Sequence, residues 1–454
     1  MGLDRRQLLR LSAVTAAVPT VALTTAASAA PMSTLGIDAV QLGVRAGGTA
    51  DLTAVLQSAI DQTAGARVPL VLGPGEYRTG ELKLPPGTQL IGVRGATRMI
   101  FEGGAAMISA RGSDHITLSG IIFDGKAKPL AEGRGLINLS WAGDTRIIEC
   151  EIVNSGGHGI VLEDADGIVS GTNIVNTADT GIVSRNGRGV VLTGNTVRTA
   201  GNGGILVTRV TKGDDGTEVL DNCIDDVTAR DGVGRSGNGI AVTNAANVMV
   251  RGNRVRRVAY SGVRGYAASN LNVVGNTLTD TADIAVYSES AYEGVVIANN
   301  TITNAAAGVA VVDFDQGGRL AVVQGNIIRN LTMRRPRSEM PNNGSSAGIG
   351  IMIEADAAIT GNVVENAPDT GIKLGWGQFL RDVSVTGNVV RSVSYGITAS
   401  VSNGAGQAVI AGNMISEATR GSIVGMDFAE VLPDDLSKET TRYAHLTIRG
   451  NKFR

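Results

Sequence analysis

The stretch Leu192-Thr193-Gly194-Asn195-Thr196-Val197 decides the fold, because its pattern returns along most of the chain. The pattern is a β-branched residue or Leu, then Gly-Asn, any residue, and Val or Ile. Successive copies lie between 22 residues (Asn173 to Asn195) and 38 residues (Asn413 to Asn451) apart, which predicts a solenoid with insertions in some repeats. The remaining copies carry Asn222, Asn253, Asn276, Asn300, Asn326, Asn362 and Asn388.

A second pattern, Gly followed by alternating apolar residues, lies between successive Asn positions. Gly159-Ile160-Val161-Leu162 and Gly204-Ile205-Leu206-Val207 are two examples. This period of two predicts short strands whose first and third apolar residues face the core. A repeat of about two dozen residues is too short for a propeller blade and lacks helical periodicity. The sequence therefore predicts an all-β, single-stranded right-handed parallel β-helix over residues 67–454, with its Asn residues stacked in an internal ladder.

The two cysteines are predicted to be free. Cys150 and Cys223 belong to coils about three rungs apart, a separation of roughly 14 Å at the usual strand spacing. Because a disulfide needs Cα atoms within ~7 Å, these two residues cannot be bridged. Both are expected to be buried thiols.

Residues 30–66 are predicted to form an N-terminal cap that contains a helix. Apolar residues recur at helical spacing between Asp51 and Asp61, and Asp51 is the expected N-cap. Residues 69–77 and 81–91 have the pattern of strands, the second interrupted by Pro85-Pro86-Gly87. A helix over the first coil covers a sheet end that is otherwise open.

Residues 1–29 have the features of a cleavable export signal. A basic start is followed by an apolar run from Leu11 to about Ala27 and by a small-residue cleavage site ending at Ala29. The Arg5-Arg6 pair favours the twin-arginine type, and an ordinary secretory signal is the alternative. We expect a periplasmic or secreted protein that engages the twin-arginine export machinery through residues 1–29 and has no membrane anchor after cleavage.

The composition excludes several kinds of partner and cofactor. Lys plus Arg number 40 and Asp plus Glu number 42, so there is no excess of positive charge to bind a nucleic-acid backbone. Two Cys and three His are too few for a structural zinc site, so any metal is expected to have oxygen ligands. Phe, Tyr and Trp supply only 15 of 454 residues, which makes each exposed aromatic residue informative.

Several stretches resemble known β-helix families. Near the N-terminus, the chain is similar to the opening of pectate-lyase-superfamily proteins at Asp51 to Ile60, Leu70 to Tyr77 and Leu84 to Gly92. The whole chain resembles the family of twin-arginine-translocated repeat proteins, through its export signal and through Gly317-Gly318-Arg319-Leu320-Ala321, Glu354-Ala355-Asp356 and Gly375-Trp376-Gly377. The resemblance implies the fold for nearly all of the chain. It leaves the reaction open, because the superfamily includes pectate lyases, polygalacturonases and alginate epimerases.

Chemistry is expected where outward side chains of successive coils form a column, with about 4.8 Å between neighbours. In the early coils these outward positions do not combine aromatic with charged residues. In the last five coils they combine aromatic residues with carboxylates and cations. This composition is typical of a sugar-binding cleft. The candidates for catalysis are Arg264, Tyr287, Asp313, Asp315, Glu354 and Lys373, and those for substrate binding are Tyr266, Glu289, Asp356 and Trp376.

Two mechanisms fit this column. In hydrolysis, Asp313, Asp315 and Glu354 supply the two carboxyl groups. Carboxyl groups on adjacent rungs, about 5 Å apart, suit a retaining enzyme, and those two rungs apart, about 9.6 Å, suit an inverting one. The same three carboxylates are the expected ligands if calcium takes part.

In β-elimination or epimerisation of a uronic acid, a cation neutralises the substrate carboxylate and so acidifies the neighbouring C–H bond. Arg264 or Lys373 is the candidate cation, and Tyr266, Tyr287 or Lys373 handles the proton.

We therefore predict an exported protein that acts on an acidic polysaccharide by lyase, hydrolase or epimerase chemistry. The alternative is a periplasmic scaffold that binds polysaccharide without a reaction, its charges paired on a solvated face. The two readings differ in whether Asp313, Asp315 and Glu354 converge in a concave cleft with at least one shifted pKa.

Overall fold

The computed structural model describes residues 36–230, 232, 236–335 and 347–454, and they form a right-handed parallel β-helix. This confirms the predicted fold class. The predicted export signal, residues 1–29, lies outside the described residues, as does most of the loop that follows Arg335. No described helix has the length and apolar character needed to span a bilayer.

Each typical coil has three strands, so the solenoid has three faces. The first face is one sheet of sixteen strands, each placed just before a Gly-Asn turn or its equivalent. Its strands are Ile37–Asp38, Leu70–Val71, Gln89–Ile91, Thr117–Ser119, Thr145–Ile148, Gly167–Ser170, Val191–Thr193, Glu218–Leu220, Met249–Arg251, Leu271–Val274, Glu293–Ala298, Arg319–Gln324, Ala355–Thr360, Arg381–Thr386, Ala408–Ala411 and Leu446–Arg449.

The second and third faces belong to one sheet of twenty-five strands that bends between them. Strands confined to the second face are Gly75–Thr79, Thr97–Phe101, Ile121–Asp124, Glu151–Ser155, Asn173–Thr177, Thr196–Ala200, Cys223–Val227, Arg254–Val258, Ile327–Arg329 and Lys452–Phe453. Strands confined to the third face are Leu82–Lys83, Ile108–Arg111, Gly135–Ser140, His158–Glu163, Thr180–Arg185, Gly203–Asp214, Asn238–Ala246, Val263–Tyr266 and Ile349–Ile353. Five long strands run from the second face onto the third: Thr277–Glu289, Thr301–Val311, Val363–Leu374, Val389–Ser400 and Met414–Asp427. Glu430–Asp435 pairs antiparallel with the last of these.

The predicted Asn ladder is present inside the turn that follows the first face. Asn276 is typical: its side-chain Nδ2 donates to Oδ1 of Asn300 at 3.0 Å and to the carbonyl of Val250 at 3.0 Å. Its backbone N–H also donates to Asn300 Oδ1, at 2.9 Å. The Gly before it, Gly275, has φ 68°, a conformation that glycine adopts without strain. The ladder therefore satisfies buried polar groups from rung to rung, a structural role. It comprises Asn195, Asn222, Asn253, Asn276, Asn300, Asn326, Asn362, Asn388, Asn413 and Asn451.

Asn173 does not belong to the ladder. The Oδ1 atom of Asn195 instead accepts from the backbone N–H of Thr172, which is 1% exposed, and Asn173 pairs with Thr196 at the start of a second-face strand. The prediction is wrong there because the Gly-Asn pattern is offset by one residue in that coil.

The two cysteines also differ by one residue in their position within the coil. Both are free, as predicted, and Cys150 is buried. Cys223 lies one position later, on the second face between Thr196 and Arg254, and it is partly exposed. The expectation of two buried thiols is therefore wrong for Cys223.

The helix at the N-terminus, α1 (Thr53–Ala66), confirms the predicted helical segment. Leu52 is the N-cap, so the expectation that Asp51 has this position is wrong by one residue, although the Asp51 carboxylate accepts from the backbone N–H of Thr53 at 2.9 Å. Leu56 and Ile60 are fully buried in the core that runs through the solenoid. Two short 3-10 helices, Ala39–Leu42 and Phe314–Gln316, complete the described helical structure.

Candidate functional site

A cavity of about 220 Å³ opens on the third face, near the C-terminal part of the solenoid. Three neighbouring strands of the third face form its walls. Val311, Ile353 and Leu374, at the ends of these strands, pair in that order. Residues at or just beyond the ends of these strands therefore meet. The lining residues are Val312, Asp313, Met352, Ile353, Glu354, Lys373, Gly375 and Trp376.

Glu354 is the most perturbed carboxyl group of the cavity. Burial, together with the negative charges of Asp313 and Asp315, raises its pKa to about 7. Its Oε2 atom accepts from the backbone N–H of Phe314 at 2.8 Å, which opposes this shift only in part. At neutral pH the group is therefore divided between the acid and the carboxylate form.

Asp313 lies beside Glu354 at a turn with φ 70°. Its Oδ2 atom accepts from the backbone N–H of Ser290 at 2.9 Å. Burial raises the pKa of Asp313, and the charges of Glu289 and Asp315 add to the shift. Asp315 is exposed on the 3-10 helix Phe314–Gln316 and does not line the cavity.

Lys373 and Trp376 also line the cavity. The Lys373 Nζ atom lies 4.5 Å from the centroid of the Trp376 ring, a cation–π contact. Burial lowers the pKa of Lys373. Among the described residues, Lys373 forms no ion pair with a carboxylate, so its ammonium group has hydrogen-bonding capacity to offer to a ligand.

Arg264, Tyr287 and Glu289 form a separate cluster on the neighbouring rungs. The Arg264 Nε atom donates to Glu289 at 2.6 Å, and its guanidinium carbon lies 5.5 Å from the centroid of the Tyr287 ring. Burial and the charge of Glu289 raise the pKa of Tyr287 above its usual range. The charge of the guanidinium group is thus already paired with Glu289, and the phenol keeps its proton at neutral pH, so it is not available as a base.

The structure brings together four of the ten predicted site residues in the cavity and leaves Tyr266 and Asp356 outside it. Tyr266 is 38% exposed on the third face. Asp356 lies on the first face, where Arg381 binds its carboxylate at 2.8 Å through Nε. The chain leaves the third face at Glu354, so two residues that are close in sequence belong to different faces.

Phe428 was missed by sequence reasoning. It is 49% exposed, and its ring packs edge-to-face on Trp376 with 5.9 Å between centroids. The rarity of Phe, with only six in the chain, was the available sequence signal. This pair extends the apolar surface at the rim of the cavity.

Metal binding by these residues stays a prediction. Within the described parts of the chain, no three His, Cys, Asp or Glu side chains converge as metal ligands do. Asp315 in particular does not share the cavity with Asp313 and Glu354.

Comparison with known proteins identifies the family of the chain. The sequence profile described as "Right handed beta helix region" matches residues 91–224 and 208–327, which together span more than half of the chain. The chain therefore belongs to the right-handed β-helix family. A search of curated proteins found no match.

Solved structures agree in fold at low sequence identity. The N-terminal fragment of gene product 12 from bacteriophage Phi29 has a TM-score of 0.63 and 14% identity, covering 92% of this chain and 71% of that one. The catalytic unit of a GH87 α-1,3-glucanase from Streptomyces thermodiastaticus has a TM-score of 0.50 and 16% identity, covering 95% and 70%. The A-module of the Azotobacter vinelandii mannuronan C-5 epimerase AlgE4 has a TM-score of 0.48 and 14% identity, covering 79% and 96%. The first two of these similarities show the β-helix fold alone, so the pectate-lyase-like superfamily and the twin-arginine repeat family both remain predictions.

Proposed function

We propose that the protein hydrolyses an acidic polysaccharide in the third-face cavity, with Glu354 as the general acid. The observation that carries this proposal is the pKa of Glu354, raised to about 7 in a concave site that also holds Asp313. A carboxyl group with such a pKa keeps enough of its acid form at neutral pH to protonate a leaving group.

The rung spacing favours a retaining mechanism. Asp313 and Glu354 follow strands that are direct neighbours in the sheet, about 4.8 Å apart, and carboxyl groups ~5–5.5 Å apart are typical of retaining glycosidases. Glu354 gives its proton to the glycosidic oxygen while the Asp313 carboxylate attacks the anomeric carbon and the glycosidic bond breaks. Water then hydrolyses the glycosyl–enzyme bond, its proton passes to Glu354, and the Asp313 carboxylate is released.

Lys373 and Trp376 supply substrate binding in this proposal. The Lys373 ammonium group lies in the field of Asp369 and Glu354 but forms no ion pair with a described carboxylate, and in this proposal it pairs with a sugar carboxylate. The Trp376 ring, with Phe428 at its edge, offers an apolar surface for a sugar ring. These contacts are the reason for proposing an acidic polysaccharide, encountered after export.

A lyase is the second candidate, and one observation favours it. The pKa of Lys373 is lowered by burial, which increases the fraction of its amine in the neutral form that can remove a proton next to a sugar carboxylate. In that reaction the C–O bond breaks without water, leaving an unsaturated sugar.

The test uses the purified protein on polygalacturonate, alginate and dextran, with and without a calcium chelator. Reducing ends and the ultraviolet absorbance of unsaturated sugars are followed together, and nuclear magnetic resonance reads the configuration of the first product. We expect reducing ends without ultraviolet absorbance, with retained configuration, from wild-type protein and from the Glu163→Gln control. Glu163 is a suitable control because it is also a glutamate on the third face, but it forms an ion pair with Arg185 and does not line the cavity.

Glu354→Gln should lower turnover by at least about a hundredfold, the usual contribution of a general acid. Ultraviolet absorbance that disappears in Lys373→Met but persists in Glu354→Gln would establish the lyase instead. Polymer binding without any product would favour the scaffold alternative.

A further inference from the structure

A second cavity lies far from the candidate site, at the N-terminal end of the same face. It is a groove of about 1040 Å³ between α1 and the first rungs of the third face. The amide of Gln57 fixes the helix to this face, since Nε2 donates to the Lys83 carbonyl at 2.7 Å and Oε1 accepts from the Lys83 N–H at 2.9 Å. The groove therefore has two walls that are bonded to each other.

The cations of this groove are unmatched. Lys83, Arg111 and Arg134 line it with exposed side chains, and none of the three forms an ion pair or a side-chain hydrogen bond with the described residues. Because these donors contact only solvent, they are free to bind an anionic group.

The carboxylates of the groove, in contrast, already accept hydrogen bonds. Asp51 binds the backbone N–H of Thr53, Asp61 binds the amide of Gln57, and Glu81 binds the backbone N–H of Ala105. The groove thus offers a ligand more free donors than free acceptors.

An exposed tryptophan directly follows a residue that lines the groove. Trp141 is 52% exposed and follows directly on Ser140, which lines the groove. It is held at φ 56°, and its backbone N–H donates to the Glu163 carbonyl at 2.8 Å. An aromatic face beside unmatched cations suits the ring and the carboxylate of an acidic sugar.

Trp141 and Trp376, the two tryptophans of the chain, occupy equivalent positions on the solenoid. Trp141 lies two residues after Leu139, and Trp376 lies two residues after Leu374. Leu139 and Leu374 are connected through a continuous series of paired residues on the third face. Nine pairings connect these positions, so the two turns lie roughly 43 Å apart along one edge. The register runs through Leu139, Leu162, Ser184, Val207, Val242, Gly265, Ser288, Val311, Ile353 and Leu374.

We infer that the groove beside α1 is a second, non-catalytic binding site for a carboxylate-bearing polysaccharide, which anchors the polymer whose distant segment enters the third-face cavity. The ligand class rests on the proposed function, whereas the site itself does not. Anchoring at two points raises the apparent affinity for a long polymer without any new contact at the cavity.

Fluorescence can test the groove separately, because each site has one of the two tryptophans. In Trp376→Phe/Glu354→Gln protein, Trp141 is the sole tryptophan and turnover is suppressed. We expect polygalacturonate to change Trp141 emission, dextran to leave it unchanged, and added salt to weaken the response. Arg111→Gln/Arg134→Gln in this background should weaken polygalacturonate binding at least tenfold.

The matched control is Arg251→Gln/Arg449→Gln, which removes the same charge from exposed positions on the first face. This control should bind polygalacturonate as its parent does. A silent Trp141, an equal response to dextran, or equal losses in the two double variants would overturn the anchoring site. Because hydrolysis is measured separately on wild-type protein, an anchoring site without turnover, or turnover without an anchoring site, identifies which proposal has failed.

Discussion

Glu354 binds the backbone N–H of Phe314 through Oε2, at 2.8 Å, so the carboxyl group that lines the cavity also holds the 3-10 turn that carries Asp315. Ionisation of Glu354 strengthens this bond but places a charge in a buried site beside Asp313. The protonation state of one side chain therefore affects both the chemistry and the stability of this region.

Activity should decrease as the pH rises through about 7. The acid form of Glu354 is the proton donor, and its pKa of about 7 makes this form the minor one above neutrality. The measurement is a profile of kcat/KM between pH 5 and pH 9. A profile that keeps rising above pH 8 would be incompatible with Glu354 as the acid.

Stability should decrease at lower pH than activity, between about pH 4.5 and pH 7. The pKa of Glu354 is about 7 in the folded protein against 4.5 in an unfolded chain, so its stabilising contribution is complete below pH 4.5 and is lost as the pH rises to about 7. The loss is about 3 kcal/mol at most. Urea unfolding at pH 5 and pH 8 should show this loss in wild-type protein and a smaller one in Glu354→Gln.

Asp313→Asn and Asp315→Asn should separate the two neighbouring carboxylates. Asp313 lines the cavity and Asp315 does not, so only Asp313→Asn should reduce turnover by about a hundredfold or more. The Asn oxygen can still accept from Ser290, which keeps the turn intact. Equal losses of kcat in both variants would show that the cavity is not the reaction site.

Asn300→Ala should destabilise the solenoid by about 3 kcal/mol. The change deletes an amide that donates to Val273 and Asn326 and accepts from Asn276, and it leaves buried polar groups unpaired. The matched control is Asn173→Ala, because Asn173 lies outside the ladder. Similar urea midpoints for both variants would contradict the structural role of the ladder.

The two thiols should react differently with a thiol reagent. Burial raises the pKa of Cys150 to about 11, whereas Cys223 is partly exposed on the second face. In the folded protein we expect one equivalent to react, lost in Cys223→Ser, and two equivalents to react after unfolding. Rapid reaction of Cys150 in the folded protein would show that its coil opens readily.

The fold was predictable from local patterns because each rung repeats the same turn. Gly275-Asn276 shows why: the glycine adopts the φ that the turn needs, and the asparagine satisfies the rung above and the rung below. The prediction failed at Asn173 and Cys223 because an offset of one residue moves a side chain from the interior to the surface. The sequence pattern alone does not determine that offset, because it does not give the alignment of one coil with the next.

The site was predictable only in part. The Gly-Ile patterns put Glu354 and Lys373 on successive coils, and both line the cavity. The binding of Arg264 to Glu289 depends on side-chain conformations that spacing does not specify. The groove beside α1 depends on how the helix packs, which is a tertiary contact between segments distant in sequence.

Because Trp141 and Trp376 share one register, the number of coils between them sets the distance between the two proposed binding sites. Since coils stack at a fixed spacing, the distance between the two tryptophan-bearing turns changes only in whole steps of about 4.8 Å, one for each coil gained or lost. Duplication or deletion of a coil between them would therefore adjust the length of polymer that fits, while the local structure of both ends stays the same.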